Sequence, residues 1–230
     1  MKTDPCRIVV LTGAGVSAES GLGTFRDKDG LWTKYDLAEV ATPEGFAADP
    51  AKVHAFYNAR RANALQAEVN PAHEALARLE ASGEALIITQ NVDNLHERAG
   101  AQGVSHMHGE LMRALCAACG VTWDAPPVMA VEDRCPTCGK GPTRPDIVWF
   151  GEIPYHMERI AEALNACALF VAIGTSGEVY PAAGFVEEAR RVGAETLEIN
   201  LEATGARFDR RILGPASDTV PAWVDEVLGG

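Results

Sequence analysis

A β-branched apolar run, Ile8-Val9-Val10-Leu11, leads straight into Thr12-Gly13-Ala14-Gly15-Val16-Ser17-Ala18, and no other junction constrains the chain as much. It reads G-x-G-x-x-A between a strand and a helix. Glycines so placed permit a tight turn and let a pyrophosphate approach backbone N–H groups at a helix N-terminus. Gly-rich turns are common, and the strand before this one gives it weight. In ordinary dinucleotide units an acidic residue about twenty positions on receives a ribose hydroxyl. Asp36 stands at that distance, but no second strand leads into it. The chain therefore does not read as an ordinary dehydrogenase half.

Strand and helix signals alternate along the rest of the chain. Residues 49–69 read as a helix with Asp49 as N-cap and Pro50 in the first turn. A second helix opens at Asn70-Pro71, carries Leu76 and Leu79, and ends near Gly83. Residues 85–89 read as a buried strand, and 93–98 as a short helix closed by Gly100. Residues 168–173 form a strand that ends in Gly174-Thr175-Ser176-Gly177. A helix after Pro181 stops at Gly193, 196–200 is a strand, and 221–228 a closing helix. This alternation predicts an α/β fold with a doubly wound parallel sheet. Residues 112–143, with Pro126-Pro127, read as a small inserted module.

That module holds four of the six cysteines. Cys116-x-x-Cys119 and Cys135-x-x-Cys138 are separated by fifteen residues, while Cys6 and Cys167 stand alone. Two such knuckles fit a four-thiolate zinc site. Four thiolates close the coordination sphere, so the zinc is expected to be structural. No secretory segment is visible, which disfavours disulfides and leads to an expectation of a cytoplasmic protein. No apolar run approaches the ~18 residues of a membrane span. The 230 residues carry 32 acids against 20 bases, a net charge of −12. Phosphate neutralisation needs clustered Lys and Arg, so nucleic-acid and anionic-membrane partners are not expected. The absence of G-x-S-x-G and of a P-loop leaves serine-hydrolase and ATPase readings without support.

Four polar segments fall at the ends of expected strands: residues 13–17, 89–96, 106–109 and 174–176. Open α/β sheets bind ligands outside the carboxyl ends of their strands, so these segments would converge on one cleft of dinucleotide size. Asn200 could join them. His106 and His108 both qualify as a general base, and strand periodicity puts them on one side without separating them.

In order along the chain, these segments resemble the sirtuin signatures. They are Gly13-Ala-Gly-Val-Ser-Ala-Glu-Ser-Gly21 with Thr24-Phe25-Arg26, and Thr89-Gln90-Asn91-Val92-Asp93. His108-Gly109, the two Cys pairs, Val148-Trp149-Phe150-Gly151-Glu152 and Gly174-Thr175-Ser176 follow. The resemblance spans essentially the whole chain and is closest to bacterial sirtuins. It implies a Rossmann-like NAD-binding domain from residues 1–35, 70–111 and 144–230. A smaller zinc-binding and helical domain comprises 36–69 and 112–143. It implies an NAD-dependent protein-lysine deacylase that consumes NAD and releases nicotinamide, O-acyl-ADP-ribose and free lysine. The partners implied are acyl-lysine peptides or proteins; a monomer is compatible with the sequence.

The resemblance also distributes roles. It selects His108 over His106 as general base, with Asn91 beside it. It assigns Gly13, Ala14, Gly15, Ser17, Glu19, Thr24, Phe25, Arg26, Gln90, Asn91, Asp93, Gly174, Thr175, Ser176, Asn200 and Ala216 to the cofactor. Phe25 would shield the reactive ribose face and Arg26 would reach a phosphate. Capping of the following helix is the rival role for Asp93. Val148, Trp149, Phe150 and Gly151, with Glu178 and Val179, would flank the substrate peptide as an added strand. An apolar core strand is the competing reading of 148–150. Tyr57-x-x-Arg60 places a phenol and a cation on one helix face, a pair able to hold a carboxylate. It matches the sirtuins that remove succinyl and malonyl groups, and that match selects the carboxylate role, whereas local spacing alone favours a solvated face beside Arg61. Gly23 stands where the family usually has Pro, and Asp27-Lys28-Asp29 replaces a small-residue stretch, which puts loop details in doubt. Two other readings are ADP-ribosyl transfer to protein, from the same activated ribose carbon, and a non-catalytic NAD- or ADP-ribose-binding module.

Overall fold

The computed structural model describes residues 7–23 and 36–229. Thr24, Phe25 and Arg26, Asp27-Lys28-Asp29 and Cys6 lie outside the described residues.

Six strands form one parallel sheet in the order β3-β2-β1-β7-β8-β9. They are β1 (Ile8–Thr12), β2 (Ala85–Thr89), β3 (Ser105–His106), β7 (Leu169–Ile173), β8 (Glu195–Asn200) and β9 (Arg210–Leu213). Every residue of β1 and β2 is buried, as expected when helices cover both faces of a parallel sheet. Alternation along β1 sends Ile8 and Val10 to one face and Val9 and Leu11 to the other. On the first face they meet Leu76 and Leu79 of α5 (Pro71–Ala81) and Val220, Trp223 and Val224 of α9 (Ala216–Gly229). On the second they meet Ile160 and Leu164 of α7 (Met157–Ala166) and Phe185, Val186 and Ala189 of α8 (Phe185–Arg191). Strand order reverses between β1 and β7, the switch point at which open α/β sheets bind ligands outside the carboxyl ends of their strands.

The second unit contains α2 (Leu37–Val40), α3 (Pro43–Ala48), α4 (Pro50–Gln66) and an antiparallel sheet in the order β5-β4-β6. That sheet consists of β4 (Gly109–Cys116), β5 (Thr122–Asp124) and β6 (Thr143–Ile147). It runs beyond both ends of the 112–143 segment expected from the cysteines. Its core joins Phe46, Val53, Phe56 and Tyr57 to Leu111, Ile147 and Trp149. Between the units lie α1 (Gly15–Ala18) in the first turn and α6 (Leu95–Arg98) after β2.

Local capping chemistry sets the two helix starts as the sequence predicts. Asp49 Oδ1 accepts from Lys52 N at 2.9 Å to open α4. Asn70 accepts from Ala72 N and His73 N, and His73 Nδ1 accepts from Asn70 N in return. Asp36 caps α2 through Ala38 N, so it is not a ribose ligand in a second strand. Other elements depart from expectation. No helix was assigned from sequence at α7, although Met157, Ile160, Ala161 and Leu164 recur at helical spacing, and no strand at β9, an exposed, arginine-bearing edge strand. The closing helix begins at Ala216 and not at Pro221. Residues 148–150 follow β6 and are not a core strand.

Candidate active site

The cleft floor is a crossing of two glycine turns. Gly13 N donates to Ile173 O at 3.0 Å and Gly15 N to Gly174 O at 2.8 Å. A Cβ on Gly15 would stand 2.7 Å from Gly174 Cα, and one on Gly174, whose φ is +61°, would stand 2.5 Å from Val16 N. Neither distance is tolerable for an L side chain, so the crossing requires glycine on both sides. Gly174 N in turn donates to Ile199 O, and Gln90 N to Thr12 O. The ends of β1, β2, β7 and β8 are thereby tied to one another.

Side chains continue the tie. Asn91 Nδ2 donates to Gly13 O and to Ser17 Oγ, both at 3.1 Å. Ser17 Oγ donates to Asp93 Oδ2 at 3.3 Å, while Asp93 Oδ1 accepts from Leu95 N at 3.1 Å. Asp93 thus serves the turn before α6 with one oxygen and the glycine turn with the other. Burial holds its carboxyl above the usual range, against the pull of Leu95 N and Ser17. Gln90 Nε2 donates to Thr175 Oγ1 and Asn200 Nδ2 to Thr175 O, each at 2.9 Å. Ala14 and Ser176 sit in the same two turns. Glu19 is engaged elsewhere. Its carboxylate accepts from Ser217 N and Ser217 Oγ and caps α9, which begins at Ala216.

Two buried histidines under this floor were not singled out from sequence. His73 accepts from Asn70 N at Nδ1, so its proton lies on Nε2, 3.3 Å from Ser17 Oγ. His96 Nε2 lies 3.1 Å from Thr12 Oγ1, and its ring meets His73 edge-on at 5.1 Å. Burial pushes His73 down to about 4 and His96 to about 3, so both are neutral spacers at pH 7. The N-x-x-H pattern of the capping box was the available signal for His73.

The two candidate bases are separated by their partners. β3 ends at His106 and a turn follows, so the two histidines do not share a strand. His106 Nδ1 donates to Asn91 O at 3.1 Å, and Nε2 donates to Glu97 Oε1 at 2.8 Å. Burial opposes its charge, but Glu97 outweighs burial and its pKa is raised. Both nitrogens carry protons and are spent. His108 Nδ1 lies 3.2 Å from Gln90 O, a pure acceptor, so Nδ1 bears the proton and Nε2 keeps a lone pair. Burial holds its pKa below the ordinary value, against the Gln90 carbonyl. Among the described residues Nε2 has no hydrogen-bond partner, and a neutral, oriented imidazole with a lone pair to give is what a general base requires.

On α4, Tyr57 is 1% exposed and packed in the small unit's core, and Arg60 is partly buried beside it. The Arg60 guanidinium lies 5.7 Å from the ring centroids of both Phe56 and Tyr57. Burial lowers its pKa, while Tyr57 and Asp93 act to raise it, which places Arg60 in the field of the Asp93 side of the cleft. Val148 N donates to His108 O and Phe150 N to Ala41 O, both at 2.9 Å, so this segment bridges the two units. Phe150 is half-exposed, Gly151 and Glu178 are exposed, and Val179 is partly buried. Trp149 departs from its neighbours: its ring is buried in the small-unit core. Two further α4 residues were missed. Asn58 exchanges hydrogen bonds with the Met129 backbone, and buried Arg61 donates to Leu111 O at 2.7 Å.

The four cysteine sulfurs of the knuckles lie within 4.8 Å of one another. Cys116 Sγ and Cys138 Sγ are 3.7 Å apart, and Cys119 Sγ and Cys135 Sγ 3.8 Å. A tetrahedral Zn–S₄ centre with bonds of about 2.3 Å requires sulfurs roughly 3.8 Å apart. Cys116, Cys119, Cys135 and Cys138 therefore fit a structural zinc ion. Among the described residues no helix is long and apolar enough to cross a membrane.

Fold and site together define a doubly wound α/β protein whose switch-point crevice is faced by a smaller, metal-knuckle unit. A Sir2-family model matches residues 13–181, and the chain belongs to that family. A Caulobacter vibrioides protein named NAD-dependent protein deacylase is 58% identical over 230 residues, covering 96% of this chain and 97% of its own. An Escherichia coli (strain K12) protein of the same name is 52% identical over 231 residues, covering 97% of this chain and 83% of its own. A crystal structure of a Sir2 homologue with NAD is similar at a TM-score of 0.89 and 38% identity, covering 96% of this chain and 89% of that one.

Proposed function

We propose that this chain is an NAD-dependent protein-lysine deacylase acting on succinyl-, malonyl- and acetyl-lysine. The orientation of His108 carries the reading. Its Nδ1 is bound to the Gln90 carbonyl, which leaves Nε2 as the basic nitrogen, without a hydrogen-bond partner among the described residues. A binding module has no use for a neutral, open imidazole.

NAD supplies a ribose carbon from which nicotinamide departs as the acyl oxygen arrives. The residues present fit it: Gln90, Asn91, Thr175 and Asn200 set hydrogen-bonding side chains around the crossing of the Gly13–Gly15 and Gly174 turns, at the carboxyl ends of β1, β2, β7 and β8. His108 Nε2 takes a proton from a ribose hydroxyl. Asn91, fixed by Gly13 O and Ser17 Oγ, orients that ribose. Asp93 accepts from the nicotinamide carboxamide, and Gln90 lines the same pocket. Thr175, Ser176 and Asn200 face the adenosine half. Thr24, Phe25 and Arg26 keep the roles that the resemblance implies. Val148–Gly151 and Glu178-Val179 receive the peptide backbone. The thiolates hold zinc as a structural brace and no step passes through it.

Support for acidic acyl groups comes from Tyr57 and Arg60, a phenol and a guanidinium side by side on α4. Product mass spectrometry with matched acetyl- and succinyl-lysine peptides, with and without NAD, tests the reading. NAD-dependent formation of O-succinyl-ADP-ribose, lost selectively in Tyr57→Phe/Arg60→Met, is expected. Acetyl removal alone, unchanged in that variant, overturns the acidic specificity. Nicotinamide release with a modified protein and no need for an acyl group shifts the assignment to ADP-ribosyl transfer.

A further inference from the structure

The Trp149 side chain turns away from the peptide segment that carries it. Only 2% of it is exposed, against 50% for the adjacent Phe150. Its indole Nε1 donates to the Tyr57 hydroxyl oxygen at 3.0 Å. An indole N–H only donates, so the Tyr57 oxygen is engaged as an acceptor and the phenol proton remains to be given. Among the described residues that proton has no acceptor.

The ring that makes this bond is held from several sides. The Arg144 guanidinium stacks 3.5 Å from the indole centroid. Arg144 is itself gripped by both Glu152 oxygens, at 2.7 and 2.8 Å, and donates to Ile147 O. Glu152 also accepts from Trp149 N at 2.8 Å, so one carboxylate fixes both the backbone of Trp149 and the cation on its ring. Phe46 packs against the ring at 5.2 Å. A stack this constrained is more than filling requires, and its one polar output is the bond to Tyr57.

We propose that Trp149 is a positioning residue for acidic acyl groups, acting through the Tyr57 hydroxyl. The inference rests on the acidic-acyl reading above. By occupying the phenol oxygen, the indole aims the phenol proton toward the pocket and strengthens it as a donor. A terminal acyl carboxylate accepts that bond; an acetyl methyl offers nothing to it.

The test is a double-mutant cycle on kcat and KM for succinyl- and acetyl-lysine peptides. It uses the parent, Trp149→Phe, Tyr57→Phe and the double variant. Trp149→Phe is expected to raise KM for the succinyl peptide, relative to the acetyl peptide, by about three- to tenfold, the range of one hydrogen bond between neutral groups such as the indole and the phenol. In the Tyr57→Phe background the same change should add no further succinyl-selective loss. Equal losses for both peptides, or additive losses in the double variant, overturn the inference. If the parent turns over succinyl-lysine and Trp149→Phe leaves the ratio unchanged, the inference falls alone. If the parent removes no succinyl group, the acidic reading falls and the inference with it. Should Trp149→Phe fail to fold, as judged by melting, benzothienylalanine at 149 keeps the bicyclic ring and removes only the N–H. The same ratio is then read.

Discussion

On the side of the six-stranded sheet the crevice wall is backbone: Gly13, Gly15 and Gly174 cross with carbonyls and amides in contact, and no side chain fits between them. On the side of the small unit there are rings and cations instead: Arg60 lies over Phe56 and Tyr57, and Arg144 over Trp149, with the three rings buried in that unit's core. A wall of glycine backbone admits one geometry and tolerates no substitution. A wall of packed side chains can be changed one group at a time. The proposed division follows from this: the first wall sets the reaction, common to all acyl groups, and the second sets which acyl group enters. The small unit also carries a metal-ion site, because the cysteine knuckles lie at the far ends of β4 and β6 with their sulfurs within 4.8 Å of one another.

Metal removal should break the comparison most severely. Structural zinc contributes roughly 10 kcal/mol to small sites. A strong chelator, or Cys116→Ala, should speed hydrogen exchange along β4 and β6 while β1 and β7 stay protected. Uniform loss of protection would show that the two walls are one folding unit. Next in size is Gly174→Ala, at about 3 kcal/mol for a forced left-handed residue against backbone. It should raise the KM for NAD by about a hundredfold and reduce acetyl and succinyl turnover alike. A loss that depends on the acyl group would contradict the division.

Acid should act on the first wall next. His73 and His96 are pushed to about 4 and about 3, below the ~6.5 of an unfolded chain. Below pH ~6.5 the unfolded chain binds protons that the folded chain refuses, so this stability is full above ~6.5 and is lost as pH falls. Between pH 7 and 5.5 the two rings together should cost about 2 kcal/mol, seen as a drop of roughly 5 °C in Tm. His106, whose pKa is raised by Glu97, acts in the opposite sense and blunts the drop. A melting temperature that is flat over this range would show that the two rings are not buried and neutral. The smallest effect belongs to Asn58→Ala, at about 1 kcal/mol for the bonds to Met129. It should accelerate exchange in the 125–130 loop without moving the KM for NAD.

The elements that were legible in the sequence are those whose cause is local. Asp49 and Asn70 open their helices through bonds two or three residues away. The strands at 8–12 and 85–89 are continuous apolar runs. α7 was missed although its apolar residues recur at helical spacing, because no capping side chain marks its start, and β9 was not legible because it is paired only along one edge, to β8. At the site, the glycine motifs announced themselves, as did the paired cysteines. The cap of α9 did not: Ser217 is held by Glu19 from the opposite end of the chain. The choice between His106 and His108 came from resemblance. Its physical reason appears only where Glu97 and Asn91 O occupy both nitrogens of His106.

By itself, then, the sequence determined a parallel α/β sheet, a glycine turn after its first strand and a four-thiolate knuckle, because propensity, periodicity and ligand spacing act over a few residues. The tertiary structure alone decided which histidine keeps a free nitrogen, that Gly174 must be glycine for the sake of Gly15, and that Trp149 reaches Tyr57 across ninety-two positions. Those outcomes depend on hydrogen-bond partners and contact distances between segments far apart in the chain. Such partners exist only after the chain has folded.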